Sequence, residues 1–215
     1  MFLHLLMNDP QFYLFVVVTV VISITLHELA HGWAAMRLGD DTPIHTGHMT
    51  GNPLVHMGPF SLAALFLCGI AWGQMPIDPT RLRGRHGDCL VALAGPAANL
   101  LLAAVGLTAL GLWFRSGTVG DSQIHANIAK FLFVLGATNG MLCLFNLMPA
   151  PPLDGSHVVA SYHRGYALMM GDPSKQGIWI FAFIAVFMIS NRLFAWVHGF
   201  ALTYSRLIAG YDFIL

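Results

Sequence analysis

Two histidines, His27 and His31, stand four positions apart in the stretch TVVISITLHELAHGW (19–33), with Glu28 directly after the first. On a helix, residues four apart share one face, so both imidazoles can reach a single ion. A carboxylate beside such a pair can take a proton from water, which makes His-Glu-x-x-His a zinc hydrolysis pattern with Glu as general base. In a soluble helix a match this short is often incidental. Here the setting argues for chemistry. Glu28 is the sole glutamate of the chain and stands in an apolar run. An acid at mid-membrane costs about 2.5–3.5 kcal/mol even on the lenient insertion scale. A metal-ion or proton transporter would use the same groups as a relay, so the five residues leave both readings open.

Catalytic zinc usually takes three protein ligands and keeps one position open. The remaining acids are Asp9, Asp40, Asp41, Asp78, Asp88, Asp121, Asp154, Asp172 and Asp212, most of them in polar loops or near a chain end. Asp154 differs, because it follows an apolar span in FNLMPAPPLDGSH (145–157). Pro149, Pro151 and Pro152 cannot continue a helix, so the backbone must unwind there. Unwound backbone at membrane depth is tolerated where protein buries it or it lines a wet cavity, and Gly155 permits a tight turn beside the acid. Asp154 is therefore the best third ligand by spacing, although an Asp-Gly turn at a membrane surface has the same sequence. His45, His48 and His56 form a further cluster, read as polar residues of an interfacial loop in preference to a second metal site or a pH sensor. His157 and His163 are read as solvated loop residues.

HELAH in a first span, GPAAN (95–99) opening a later one, and NLMPAPPLDG (146–155) occur in that order. Together they resemble the site-2 protease family, intramembrane zinc metalloproteases, in a minimal form without PDZ or nucleotide-sensing domain. The resemblance implies one zinc ion held by His27, His31 and Asp154, with Glu28 as base. It implies that Asn146 lies near the scissile carbonyl, where an amide N–H can stabilise an oxyanion. Pro96 and Asn99 are implied to be structural or close to substrate. The substrate implied is a transmembrane segment of a membrane-anchored protein, cut by regulated intramembrane proteolysis. A helix must unwind before cleavage, and an exposed strand edge within 42–58 could receive it by β-augmentation.

The elements that must position these residues follow from composition. The chain has 215 residues, 56% hydrophobic and 9% charged, against roughly 25% charged in soluble domains. Mean hydropathy is +0.67. These values indicate an all-α integral membrane protein in contact with the lipid bilayer. Ten basic and ten acidic residues leave no positive field for nucleic acid. Cys68, Cys89 and Cys143 lack any CxxC spacing and read as buried hydrophobes. The N-terminus has no basic region and no cleavage site, so its first apolar run is expected to be retained. Spans are expected at about 12–38, 89–114, 128–148 and 177–196, within a single membrane domain over 1–215. The stretch 42–58 reads as turns and extended pieces, and 115–127 as a polar turn.

Residues 59–74 are apolar but short and interrupted by Gly69 and Gly73. Parity decides their path. His27 and His31 lie toward the C-terminal end of the first span, and Asp154 lies just past the C-terminal end of 128–148. Ligands of one ion must meet, so these two spans must run parallel. A full crossing by 59–74 would make them antiparallel. A polytopic bundle with a re-entrant or hairpin segment after the first helix is expected in preference to a short full span at 59–74, which would need PAPPLDG to re-enter deeply to close the site. That arrangement collects Arg81, Arg83, Arg85, Arg164 and Lys175 on one face, which the positive-inside rule makes cytoplasmic. The expected location is the inner cell membrane of a prokaryote, with the active site toward the cytoplasm.

Overall fold

A computed structural model describes residues 2–117 and 122–214. Asp121 and the middle of the 115–127 turn lie outside the described residues. The helices are α1 Phe2–Asn8, α2 Pro10–Arg37, α3 Thr42–His45, α4 Pro53–Cys68, α5 Gly87–Arg115, α6 Gln123–Asn146, α7 Asp154–Tyr162, α8 Arg164–Met170 and α9 Gln176–Ala209. No strand occurs among the described residues. Among the described residues, four helices are long and apolar enough to cross a membrane: α2, α5, α6 and, from its approach at Pro173, the first part of α9.

Local chemistry sets where these helices begin and end. The Asp9 carboxylate accepts from the Phe12 N–H at 2.9 Å, and Pro10 supplies a fixed φ at the first helical position of α2. Gly39, at φ 102°, closes the helix in the left-handed region that favours glycine.

Side-chain pairs give the helix directions. Phe15 meets Phe131, and Ser23 accepts from Asn139, so α2 and α6 run parallel. Opposite α2, α5 runs antiparallel, with His31 against Val91 and His27 against Asn99. Gly106 of α5 faces Gly136 of α6 so closely that a Cβ on the former would stand 2.9 Å from the latter's nitrogen. Small residues that let backbones touch are a main source of helix association in lipid. Last in the bundle, α9 runs antiparallel to α6, with Phe183 against Phe145 near its start and Ala209 packed with Ala129 near its end.

Between α2 and α5 the chain makes a hairpin. Going down, α4 runs antiparallel to α2 until the Phe66 carbonyl accepts from the Tyr13 hydroxyl at 2.8 Å and Gly69 packs on the Phe2 ring. Residues 70–78 then return without helical structure. The Trp72 N–H donates to the Ser61 hydroxyl, and the Gln74 N–H donates to the His56 carbonyl. Gly73 touches Glu28, Met75 reaches Gly32, and the Asp78 N–H donates to Asp40 at 2.8 Å. Five residues of return thus match about twelve of the α2 side, the reach of an extended chain. Both ends of the hairpin lie at the C-terminal end of α2, as the parity of the ligands demanded.

The structure departs from the sequence reading in several places. The stretch 42–58 is not free of helix: it holds α3 and the first turn of α4. Pro43 and Pro53 sit in first turns, where the missing N–H costs nothing, and Asn52 accepts from the Leu54 N–H at 3.0 Å. Gly58, at φ 67°, kinks α4 before Pro59. The polar stretch after Asp154 holds α7 and α8. The last helix runs on to Ala209, through residues that read as a mixed tail. The longer run without helix lies at 70–78, beyond 42–58.

Candidate functional site

His27, Glu28 and His31 are all buried in the C-terminal half of α2. Asp154 reaches them from the first turn of α7, just beyond α6. Gly155 earns its place by space, not by an unusual φ: a Cβ there would collide with the Leu147 carbonyl, so α7 can fold tightly back on the end of α6.

Donor atoms of three residues converge. His27 Nε2 lies 3.0 Å from His31 Nε2 and 3.1 Å from Asp154 Oδ2, and His31 Nε2 lies 3.3 Å from Asp154 Oδ1. A tetrahedral ion with bonds of about 2.0–2.1 Å would space its ligands by roughly 3.3 Å, so the triangle fits zinc. Among the described residues this is the one His, Cys, Asp or Glu group able to hold a metal. The donor chemistry agrees. His31 Nδ1 faces the Val91 carbonyl at 2.7 Å, which can only accept, so that nitrogen carries the proton and Nε2 keeps its lone pair. Asp154 Oδ2 is buried and makes no hydrogen bond. A buried carboxylate facing two imidazoles calls for a cation.

A cavity of about 630 Å³ opens over this triangle. Glu28, Asn99, Asn146 and His157 line it together with the ligands, and the return segment from Ala71 to Ile77 forms one wall. The Asn146 amide has no partner among the described residues, so it is free to meet a guest. Gly95 of α5 packs on the two imidazoles, and a Cβ there would overlap His31 Nε2 and the His27 ring. His157 lies 3.4 Å from Asp88. That carboxylate, against the effect of burial, raises the His157 imidazole above its ordinary value.

The remaining histidines stay apart from the centre. His45 pairs with Asp41, and His48 contacts Thr46. His56 is buried, with Nε2 on the Thr50 carbonyl at 2.7 Å. His163 accepts from the Tyr166 N–H at the start of α8. Gly95 and Asn139 were not legible as site residues. Asn139, an amide in the middle of an apolar span, was the available signal.

A family model for peptidase family M50 matches residues 15–190. The chain belongs to peptidase family M50. This is the site-2 protease family that the three motifs resemble. YwhC of Bacillus subtilis is 36% identical to the M50 chain over 148 residues, 67% of each protein. Rip2 of Mycolicibacterium smegmatis is 30% identical over 184 residues, 82% of this chain and 67% of its own. MJ0392 of Methanocaldococcus jannaschii is 25% identical over 154 residues, 72% of this chain and 36% of its own. All three are named zinc metalloproteases, the first two provisionally. No solved structure matches at a significant level. With its four apolar helices, this M50 chain is a multi-pass integral membrane protein and a zinc-dependent peptidase.

Proposed function

We propose that the protein hydrolyses peptide bonds in or beside transmembrane segments of membrane-anchored proteins, as a step of regulated intramembrane proteolysis. His27, His31 and Asp154 hold one zinc ion per chain, and Glu28 is the general base. The observation that carries this reading is the convergence of three ligand residues, each pair of which brings a nitrogen or oxygen atom within 3.0–3.3 Å of the other, in a cavity that Glu28 also lines. Zinc, when bound, supplies Lewis acidity and lowers the pKa of water to about 7. Glu28 takes the proton from the attacking water and returns it to the leaving amine, which balances the hydrolysis. The Asn146 amide N–H donates to the carbonyl oxygen as negative charge gathers there.

The return segment is where an unwound substrate would lie. Trp72 and Gln74 direct their N–H groups to α4, while the amides of Gly73 and Met75 have no partner among the described residues. Alternate residues of an extended chain present their amides to opposite sides, which leaves those two for a guest strand beside Glu28. The basic residues on the ligand side support an active site facing the cytoplasm, in the inner membrane of a prokaryote.

Purified protein should hold about one zinc per chain, and Glu28→Gln should keep that zinc while abolishing cleavage of a membrane helix. If Glu28→Gln cleaved the helix as fast as wild type, Glu28 would not be the base; if wild type left the helix uncut and carried an ion flux that Glu28→Gln lost, the site would belong to a transporter and the proposal would fall.

A further inference from the structure

Behind the metal triangle, a file of fully buried polar side chains crosses three helices. His27 Nδ1 lies 2.6 Å from Asn99 Oδ1. Asn99 Nδ2 donates to Asn139 Oδ1 at 2.9 Å. Asn139 Nδ2 donates to the Ser23 hydroxyl and to the Leu135 carbonyl, each at 2.8 Å. Ser23 in turn donates to the Thr19 carbonyl at 2.6 Å. Asn99, Asn139 and Ser23 have no solvent exposure.

The direction of this file is forced from its far end. A carbonyl oxygen can only accept, so the Asn139 atom facing the Leu135 carbonyl must be its NH₂. Ser23, whose hydrogen is engaged by Thr19, likewise presents only an acceptor. The Asn139 oxygen therefore faces Asn99 and requires a donor there, which turns the Asn99 NH₂ toward it. That leaves the Asn99 oxygen facing His27. An oxygen acceptor at Nδ1 demands a proton on Nδ1, and Nε2 keeps its lone pair. His31 obtains the same tautomer directly from the Val91 carbonyl. His27 has no backbone carbonyl at its Nδ1 and obtains it through two amides.

We infer that Asn139 is a positioning residue, which through Asn99 fixes the tautomer and ring orientation that His27 offers to a metal. The inference rests on the metal-site reading above. Without Asn139, the Asn99 amide is free to rotate by half a turn and present its NH₂ to His27, which would place the lone pair on Nδ1 and a proton on Nε2. Partners behind metal-ligating histidines typically change metal affinity by 10–100-fold.

The test compares wild type, Asn139→Leu, Asn139→Ala and Asn139→Asp in detergent. Zinc affinity is measured by chelator competition, the His27 tautomer by ¹⁵N NMR of histidine-labelled, metal-free protein, and folding by thermal unfolding. Asn139→Leu fills the volume without polarity. Asn139→Asp keeps an oxygen that accepts from the Asn99 NH₂ and should hold the wild-type tautomer, while Asn139→Ala removes that oxygen without added bulk and serves if the leucine variant does not fold. Expected for the leucine or alanine variant are zinc binding weakened 10–100-fold and a His27 signal shifted from the Nδ1–H form, in a protein that still unfolds cooperatively. Unchanged zinc affinity in that variant, with His27 still in the Nδ1–H form, would overturn the inference and leave Asn139 a packing residue. Failure of wild type itself to bind zinc would instead overturn the metal-site reading.

Discussion

At the scale of single residues, the site depends on one missing atom as much as on four side chains. Gly95 presses against both imidazoles of α2, and a methyl group there would occupy the space of His31 Nε2. Alanine is the better helix former by about 1 kcal/mol, so Gly95→Ala should leave the helices intact. We expect it to lower zinc content from about one per chain to nearly none, measured by elemental analysis beside a circular dichroism spectrum. A full complement of zinc in that variant would show that the imidazoles can move aside. The four candidate residues that the structure brings together were legible in the sequence, because HELAH is contiguous and Asp154 follows the prolines that end an apolar run. Gly95 and Asn139 were not, since their roles exist only once α5 and α6 have been laid against α2.

At the scale of elements, the return segment owes its position to Asp40. This carboxylate is fully buried, accepts the Thr42 and Asp78 N–H groups at 3.0 and 2.8 Å, and meets the Thr42 hydroxyl. Burial alone would raise its pKa. The Thr42 hydroxyl, the two N–H groups and the nearby Arg81 outweigh that and hold the carboxyl below its ordinary value. A depressed carboxyl contributes its stability above the unfolded value of about 4 and loses it as pH falls through the folded value. Asp40→Asn should thus destabilise the protein at pH 7 by about 1–3 kcal/mol, the cost of buried donors left poorly paired. The gap to wild type should shrink in acid, as read from denaturant midpoints at pH 7 and pH 3. An equal gap at both would exclude the carboxylate as the clasp. The hairpin was legible as a requirement, but not its two halves. Prolines that read as turns start helices in 42–58, and the extended half carries no alternating pattern, because backbone pairing to α4 fixes it.

At the scale of the whole molecule, the parity of the crossings is the strongest deduction from sequence that the fold repeats. It follows from requiring two distant residues to share one ion, and no local propensity contains it. The same geometry makes a labelling prediction. In a background without Cys68, Cys89 and Cys143, cysteines placed at Thr46 and Ser174 should react with an impermeant maleimide from one side of the membrane, and one at Ser122 from the other. Reaction of all three from one side would break the alternation of α2, α5, α6 and α9. With the basic loops of the ligand face in the cytoplasm, as proposed, Ser122 should be the position that reacts in intact cells.

The cavity over the triangle has a consequence for supply. At about 30 Å³ per molecule in the liquid, 630 Å³ is room for roughly twenty waters. Hydrocarbon around the bundle dissolves almost none. In a protease that cuts within the membrane, as proposed, that room would hold a reservoir of co-substrate in an otherwise dry layer, and hydrolysis would be confined to its reach. A guest helix filling the cavity would displace most of this water, so each peptide bond would be cut with the few molecules that remain beside Glu28.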